Sequence, residues 1–146
     1  MRATKKFSSQ TQRGVTAVEF ALVASVFFML LIGIMEMGRL LFYWNTSVEV
    51  ARLGARMAVV CDKDDAEIKA RMMALFPTLT VADISLDYQP AGCTAATCEL
   101  VTVSIVPGKQ IPTFIPFVPL NLTLPGFNTT LTRESMDSGG GNPVCQ

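Results

Sequence analysis

Residues Phe20 to Met35, FALVASVFFMLLIGIM, form an apolar run with Ser25 as its single polar member. A run of this kind is measured against a bilayer, whose hydrocarbon core takes about 20 residues of helix. Apolar length is added at both ends. Val15 to Val18 precede Glu19, and Met37 and Leu40 to Trp44 follow Glu36. Tyr43 and Trp44 suit an interfacial aromatic belt. No proline occurs between Val15 and Phe76, and Asn45 is the first typical helix-breaking residue past the apolar part. Ahead of the run lie Arg2, Lys5, Lys6 and Arg13, with no acid up to Gly14. The whole chain holds 12 bases and 12 acids, so everything after this basic head is net acidic. The positive-inside rule then keeps the head in the cytoplasm and sends the remainder across.

Composition narrows the function. The 146 residues, half of them apolar, suit one domain with an appendage. The chain has no histidine. That excludes Ser-His-Asp and Cys-His catalysis, His-ligated zinc and an imidazole base. A net charge of zero offers no basic surplus for phosphate, so no nucleic-acid partner is expected. With no convergent acid, base and nucleophile, the expectation is a protein that is not an enzyme and needs no cofactor.

Three readings of the N-terminal segment compete. A cleaved signal peptide needs an A-x-A-like site after the apolar core. Gly33-Ile34-Met35-Glu36-Met37-Gly38 offers none. An uncleaved single-pass anchor, its head binding a partner or ligand, is the second reading. The third comes from Glu19. An ionisable group in a membrane helix costs energy and needs a partner. A cut between Gly14 and Val15 would create an amine with a pKa near about 7.7–8.0. Glu19 would become the fifth residue of the mature chain. Its carboxylate could then pair with such an amine on a neighbouring subunit, turning a membrane cost into an assembly signal.

Gln12-Arg13-Gly14-Val15-Thr16-Ala17-Val18-Glu19-Phe20 resembles the processing site of type IV prepilins. GVTAVEFALV, Leu30–Phe42 (LLIGIMEMGRLLF) and Val50–Val59 (VARLGARMAV) together resemble the TadE-like family, the minor pseudopilins of tight-adherence (Flp) pilus systems. The motif positions are Gly33, Glu36, Gly38 and Arg39, then Ala51, Arg52, Gly54, Ala55 and Arg56. Leu53 departs from the family, in which glutamate is common at that place. The resemblance implies a structural subunit that helps initiate or assemble the pilus, cut after Gly14 by a prepilin peptidase. It implies the major Flp pilin, a companion minor pseudopilin and the inner-membrane assembly platform as partners, with membrane lipid around the helix. It implies subunit assembly through Glu19, Glu36, Arg39, Arg52 and Arg56. It also implies a bacterial inner-membrane location with the C-terminal part periplasmic, and leaves open incorporation into the extracellular pilus.

The residues carry their own reading of these positions. Glu36 and Arg39 are three apart and can pair on one helix face, or snorkel from the membrane edge toward water. Gly33 and Gly38 let membrane helices approach closely. Val48, Ala51, Ala55 and Ala58 or Val59 keep the helical period, leaving Glu49, Arg52 and Arg56 to face water. The predicted helix runs over residues 15–60, about 69 Å long, with about 15–44 in the membrane. Residues 1–14 form the basic leader and 61–146 the head.

In the head, Asp64 or Asp65 can cap a short helix that ends at about Phe76, before Pro77. The acids Asp62, Asp64, Asp65 and Glu67 lack the glycine and distal glutamate of a calcium loop, so capping is the better account and no metal is expected. Ile84–Gln89 and Leu100–Val106 read as an antiparallel hairpin around a loop with Cys93 and Cys98. Asn128–Ser135 reads as a last strand. Between them, Pro107, Pro112, Pro116, Pro119 and Pro125 punctuate an apolar stretch, read as a loop covering the sheet, or as an exposed docking patch. Four cysteines allow three pairings. Cys93 and Cys98 are natural partners, which leaves Cys61 with Cys145 and ties down a Gly139–Gly141 tail that is otherwise flexible. Disulfides point to an oxidising compartment. The predicted fold is α+β and pilin-like: a long transmembrane spine helix, then a small head with a short helix and a small antiparallel sheet.

Overall fold

A 48-residue helix, α1 (Thr11–Ala58), dominates the chain. The computed structural model describes residues 11–111, 113, 122–139 and 142–145. The apolar, β-branched and small residues of α1 include no proline, so its backbone ladder runs unbroken for about 70 Å at 1.5 Å per residue. Its two halves live differently. Val15, Phe20, Phe28, Ile34 and Met35 are all exposed, and the most apolar window of the helix is 0% buried within the chain. From Ser47 onward one face is covered. Val50, Ala51, Ala55, Met57 and Ala58 are buried, while Glu49, Arg52 and Arg56 stay exposed. Buried Ser47 is no cost, because its hydroxyl donates to the Tyr43 carbonyl at 2.8 Å.

The second helix, α2 (Ala66–Leu75), starts where Asp65 caps it, its carboxylate accepting from the Glu67 N–H at 3.0 Å. It runs back along α1. Ser138 ties its start to the end of α1, donating to Asp65 and accepting from the Asp62 N–H. At its other end Phe76 stacks on Tyr43 with ring centroids 5.7 Å apart. Ile68 and Met72 form its buried stripe.

A three-stranded antiparallel sheet lies against the covered face of α1. It is built from β1 (Ile84–Gln89), β2 (Leu100–Ile105) and β5 (Phe127–Thr132), in the spatial order β1-β2-β5. Alternation places Ile84, Tyr88, Val101, Val103 and Ile105 inward. The outer face carries Ser85, Asp87, Thr102, Asn128 and Thr130, with the Thr102 and Thr130 hydroxyls bonded at 2.8 Å. A short ribbon, β3 (Gln110–Ile111) with β4 (Leu122–Thr123), extends from the sheet. The hairpin and last strand thus form where alternation and β-branching put them, with β5 at 127–132 against the expected 128–135. The short ribbon was not anticipated, because two-residue strands leave no periodic signal. Most of the proline-punctuated apolar stretch, residues 112 and 114–121, lies outside the described residues.

The strand ends have distinct surroundings. Tyr88 accepts the Asp64 N–H, and the Lys63 amine donates to the Cys93 carbonyl. The Gln89–Leu100–Thr132 end of the sheet therefore sits by the end of α1. The Ile84–Ile105–Phe127 end points the other way, toward the exposed half of the helix.

The carbonyls at the end of α1 would be orphaned without partners. The segment after β5 supplies them. Val59 accepts from the Glu134 and Met136 N–H groups, and Val60 from Asp137 N–H and the Ser135 hydroxyl. Met136 turns through φ +46° to do so and buries its side chain. A Cys61–Cys145 disulfide and a Cys93–Cys98 disulfide are present, and the first anchors the tail to the end of the spine.

Candidate functional site

α1 itself is the candidate site, because the motif residues lie along it and chemistry elsewhere is sparse. Gly14 and Val15 are exposed positions inside the continuous helix, which begins ahead of them at Thr11. Glu19 follows one turn later, exposed on the apolar half. Among the described residues no cation pairs with it. A carboxylate in that setting has its solvation unmet by this chain alone.

Glu36 and Arg39 sit nearer the head. They pair at i, i+3, with side-chain exposures of 12% and 24%. The Arg39 guanidinium also lies 6.0 Å from the Tyr43 ring, within cation–π range. Leu40 and Tyr43 pack against the head core from the same stretch. The pairing seen is within one chain. Arg52 pairs with Glu49 at 2.9 Å in the open, where such a bridge is worth little. Arg56 is exposed one turn on. The structure thus brings Glu36 and Arg39 together, and leaves Glu19, Arg52 and Arg56 as separate points along one rod. Gly33 and Gly38 have open space around a built Cβ.

Gly54 has a different role. A Cβ there would run into the Met72 side chain and come within 3.1 Å of Val103 Cγ1. It is the point where α1, α2 and β2 meet. A signal existed for it: Ala51, Gly54, Ala55 and Ala58 recur at i, i+3, i+4 and i+7 as a stripe of small residues.

The acidic run has a capping role. Hydrogen bonds from the Glu67 N–H and then the Ser138 hydroxyl hold the Asp65 carboxyl below its ordinary value. Among the described residues no group of three or more ligating side chains could hold a metal ion. A shallow open cleft at the end of the sheet, lined by Ser85, Ser104, Val106 and Asn128 among others, holds no titratable group.

A long-range ion pair escaped the sequence reading, since its members are 26 residues apart. The Lys109 amine donates to Asp83 at 2.9 Å. That bond, then the Thr80 hydroxyl and N–H, pushes the Asp83 pKa down to about 2. A depressed carboxylate stabilises the fold above its unfolded pKa of about 3.9. That contribution is lost as pH falls through the folded value. Lys109→Met is expected to raise the Asp83 pKa toward 3.8. It should also narrow the head's acid tolerance between about pH 4 and pH 2. Carbon-detected NMR titration of the Asp83 carboxyl checks this, and an unchanged midpoint would contradict it.

No curated protein and no solved structure matches the chain. A family model described as TadE-like protein matches residues 14–56. That interval opens at the Gly14 junction, takes in Glu19, Glu36 and Arg39, and closes at Arg56. Over this stretch of α1, from the junction to the small-residue face that holds the head, the chain is similar to the TadE-like family.

Proposed function

We propose that this chain is a minor pseudopilin that helps initiate or assemble a tight-adherence pilus. In this reading it is a structural subunit without catalysis. A prepilin peptidase cuts between Gly14 and Val15, and the mature chain stays in the inner membrane with its head in the periplasm. Its partners are the major pilin, a companion minor pseudopilin and the assembly platform.

One observation carries the reading: among the described residues no cation pairs with Glu19, which lies in an apolar helix half as the fifth residue of the segment that Val15 would open. An amine at Val15 of a neighbouring subunit would satisfy it. The family match from residue 14, and the two disulfides suited to an oxidising compartment, add support. The exposed line of Glu49, Arg52 and Arg56 would face other subunits, and Glu36 and Arg39 could exchange partners at the membrane edge.

The test is the N-terminal sequence and intact mass of membrane-extracted protein, from cells with and without the peptidase. A start at Val15 that disappears without the peptidase supports the reading. A start at Met1 in both strains would leave an uncleaved anchor instead. Glu19→Ala is expected to leave cleavage intact and to reduce piliation, counted by electron microscopy. Normal piliation in that variant would remove the role given to Glu19.

A further inference from the structure

The head has two poles of opposite character. At the pole by the end of α1 lie the exposed acids Asp62, Asp64, Glu99, Glu134 and Asp137. At the other pole, toward the apolar half of α1, lie the turns that join α2 to β1 and β2 to β3. Among the described residues beyond α1, the exposed large apolar side chains are Leu75, Val81, Val106 and Val144. Three of the four sit at this second pole. Leu75 adjoins Phe76, which stacks on Tyr43. Val81 begins the turn whose Asp83 carbonyl accepts the Val106 N–H at 2.9 Å. Pro77, Pro107 and Pro125 are exposed around them. The charges on those turns, Asp83 and Lys109, neutralise one another.

We propose that this pole of the head, centred on Leu75, Val81 and Val106, rests on the bilayer surface from which α1 emerges. The inference depends on α1 spanning the membrane, and it adds a second, lateral contact for the head. Leu75 is held beside the helix at the level of Tyr43, because its neighbour Phe76 is buried against the Tyr43 ring. Tyr43 and Trp44 belong at the same interface by their amphipathic rings. An apolar surface with paired charges can enter the headgroup boundary, where amphipathic elements sit about 5–10 Å deep. The far pole carries those five acids against the bases Lys63 and Arg133, so its net charge is negative and lies away from anionic lipid. The head therefore leans on the membrane rather than standing off on a free stalk, and its tilt is set before any subunit docks.

The experiment uses the full-length chain in vesicles of phosphatidylethanolamine and phosphatidylglycerol, doped with phosphatidylcholine brominated near the headgroup or deep in the acyl chain. Trp44→Phe removes the single native tryptophan. Tryptophan is then placed singly by Val81→Trp, Val106→Trp, Val144→Trp and Phe28→Trp. Shallow bromines are expected to quench Val81→Trp and Val106→Trp roughly two-fold, as for any side chain seated in that boundary. Val144→Trp should be unaffected, and deep bromines should quench Phe28→Trp. Quenching at Phe28→Trp with none at 81 and 106 overturns the lipid contact and leaves the patch to a protein neighbour. No quenching at Phe28→Trp overturns the membrane-spanning reading and this inference with it. Two reporter positions keep the result readable if one substitution disturbs its turn.

Discussion

Replacing Cys61 and Cys145 together by alanine is expected to lower the opening free energy of the head by about 4–5 kcal/mol in the loop-entropy account. The two residues are 84 apart in sequence, so their bond closes nearly the whole head into one loop. Cys93 and Cys98 are only 5 apart, and their removal should cost about 2 kcal/mol. The tail makes the difference larger than chain entropy alone. The segment from Glu134 to Ser138 caps the last carbonyls of α1 and the start of α2. Once Cys145 is free, that segment is held by its hydrogen bonds and buried Met136. Hydrogen exchange of the β2 amides in the full-length chain in detergent reads the effect directly. The Cys61/Cys145 variant should exchange about a thousandfold faster or more, and the Cys93/Cys98 variant far less. Equal effects from the two variants would show that the tail does not staple the spine to the head.

Gly54→Leu is the second large effect, a loss of about 2–3 kcal/mol in head stability. The Cβ alone would collide with the Met72 side chain and crowd Val103, both fully buried. Gly54→Ala poses a sharper comparison. Alanine gains about 1 kcal/mol of helix propensity over glycine. Against that, the Met72 thioether must move within a packed core, although its far end is flexible. The balance is near zero for alanine and clearly adverse for leucine. Trimming the neighbour by Met72→Ala should recover part of the leucine penalty, a non-additivity that marks direct contact. Gly38→Leu is the control, since open space surrounds its Cβ. Within a single chain it should leave the head untouched. The same hydrogen-exchange measurement checks all four variants. A full penalty from Gly38→Leu would mean that leucine acts on the helix generally and not at the three-element junction.

Much of the molecule was legible because its signals are local. The apolar run and missing prolines mark α1, expected over 15–60 and observed at Thr11–Ala58. Asp65 and Pro77 bracket α2 by chemistry that acts within one turn. Alternation with β-branched residues marks β1 and β2, since the pleat repeats every two residues. The split of α1 into a buried small-residue face and an exposed charged face follows from its 3.6-residue period. Glu19 is conspicuous for a similar reason: one charge in an apolar run needs no tertiary knowledge to stand out.

Other features had no local signal. Asp83 and Lys109 meet only because the 81–83 turn and the turn after β2 share a backbone hydrogen bond. Met136 enters the core by a left-handed turn in a segment whose sequence reads as polar tail. Gly54 stands in a legible small-residue stripe, but that Met72 and Val103 are what its missing side chain admits shows only once α2 and β2 close over it. Val81 and Val106 lie on separate turns that come together only through the hydrogen bond from the Val106 N–H to the Asp83 carbonyl.

The sequence by itself determined both helices, the three strands of the main sheet, their order, the membrane-length run and the lone carboxylate within it, because these depend on composition and short-range periodicity. Only the tertiary structure decided what lies beside what: the tail against the end of α1, the acids at one pole and the apolar turns at the other. Those neighbours are set by long-range packing of a common core, in which each contact depends on where all the other elements have come to rest.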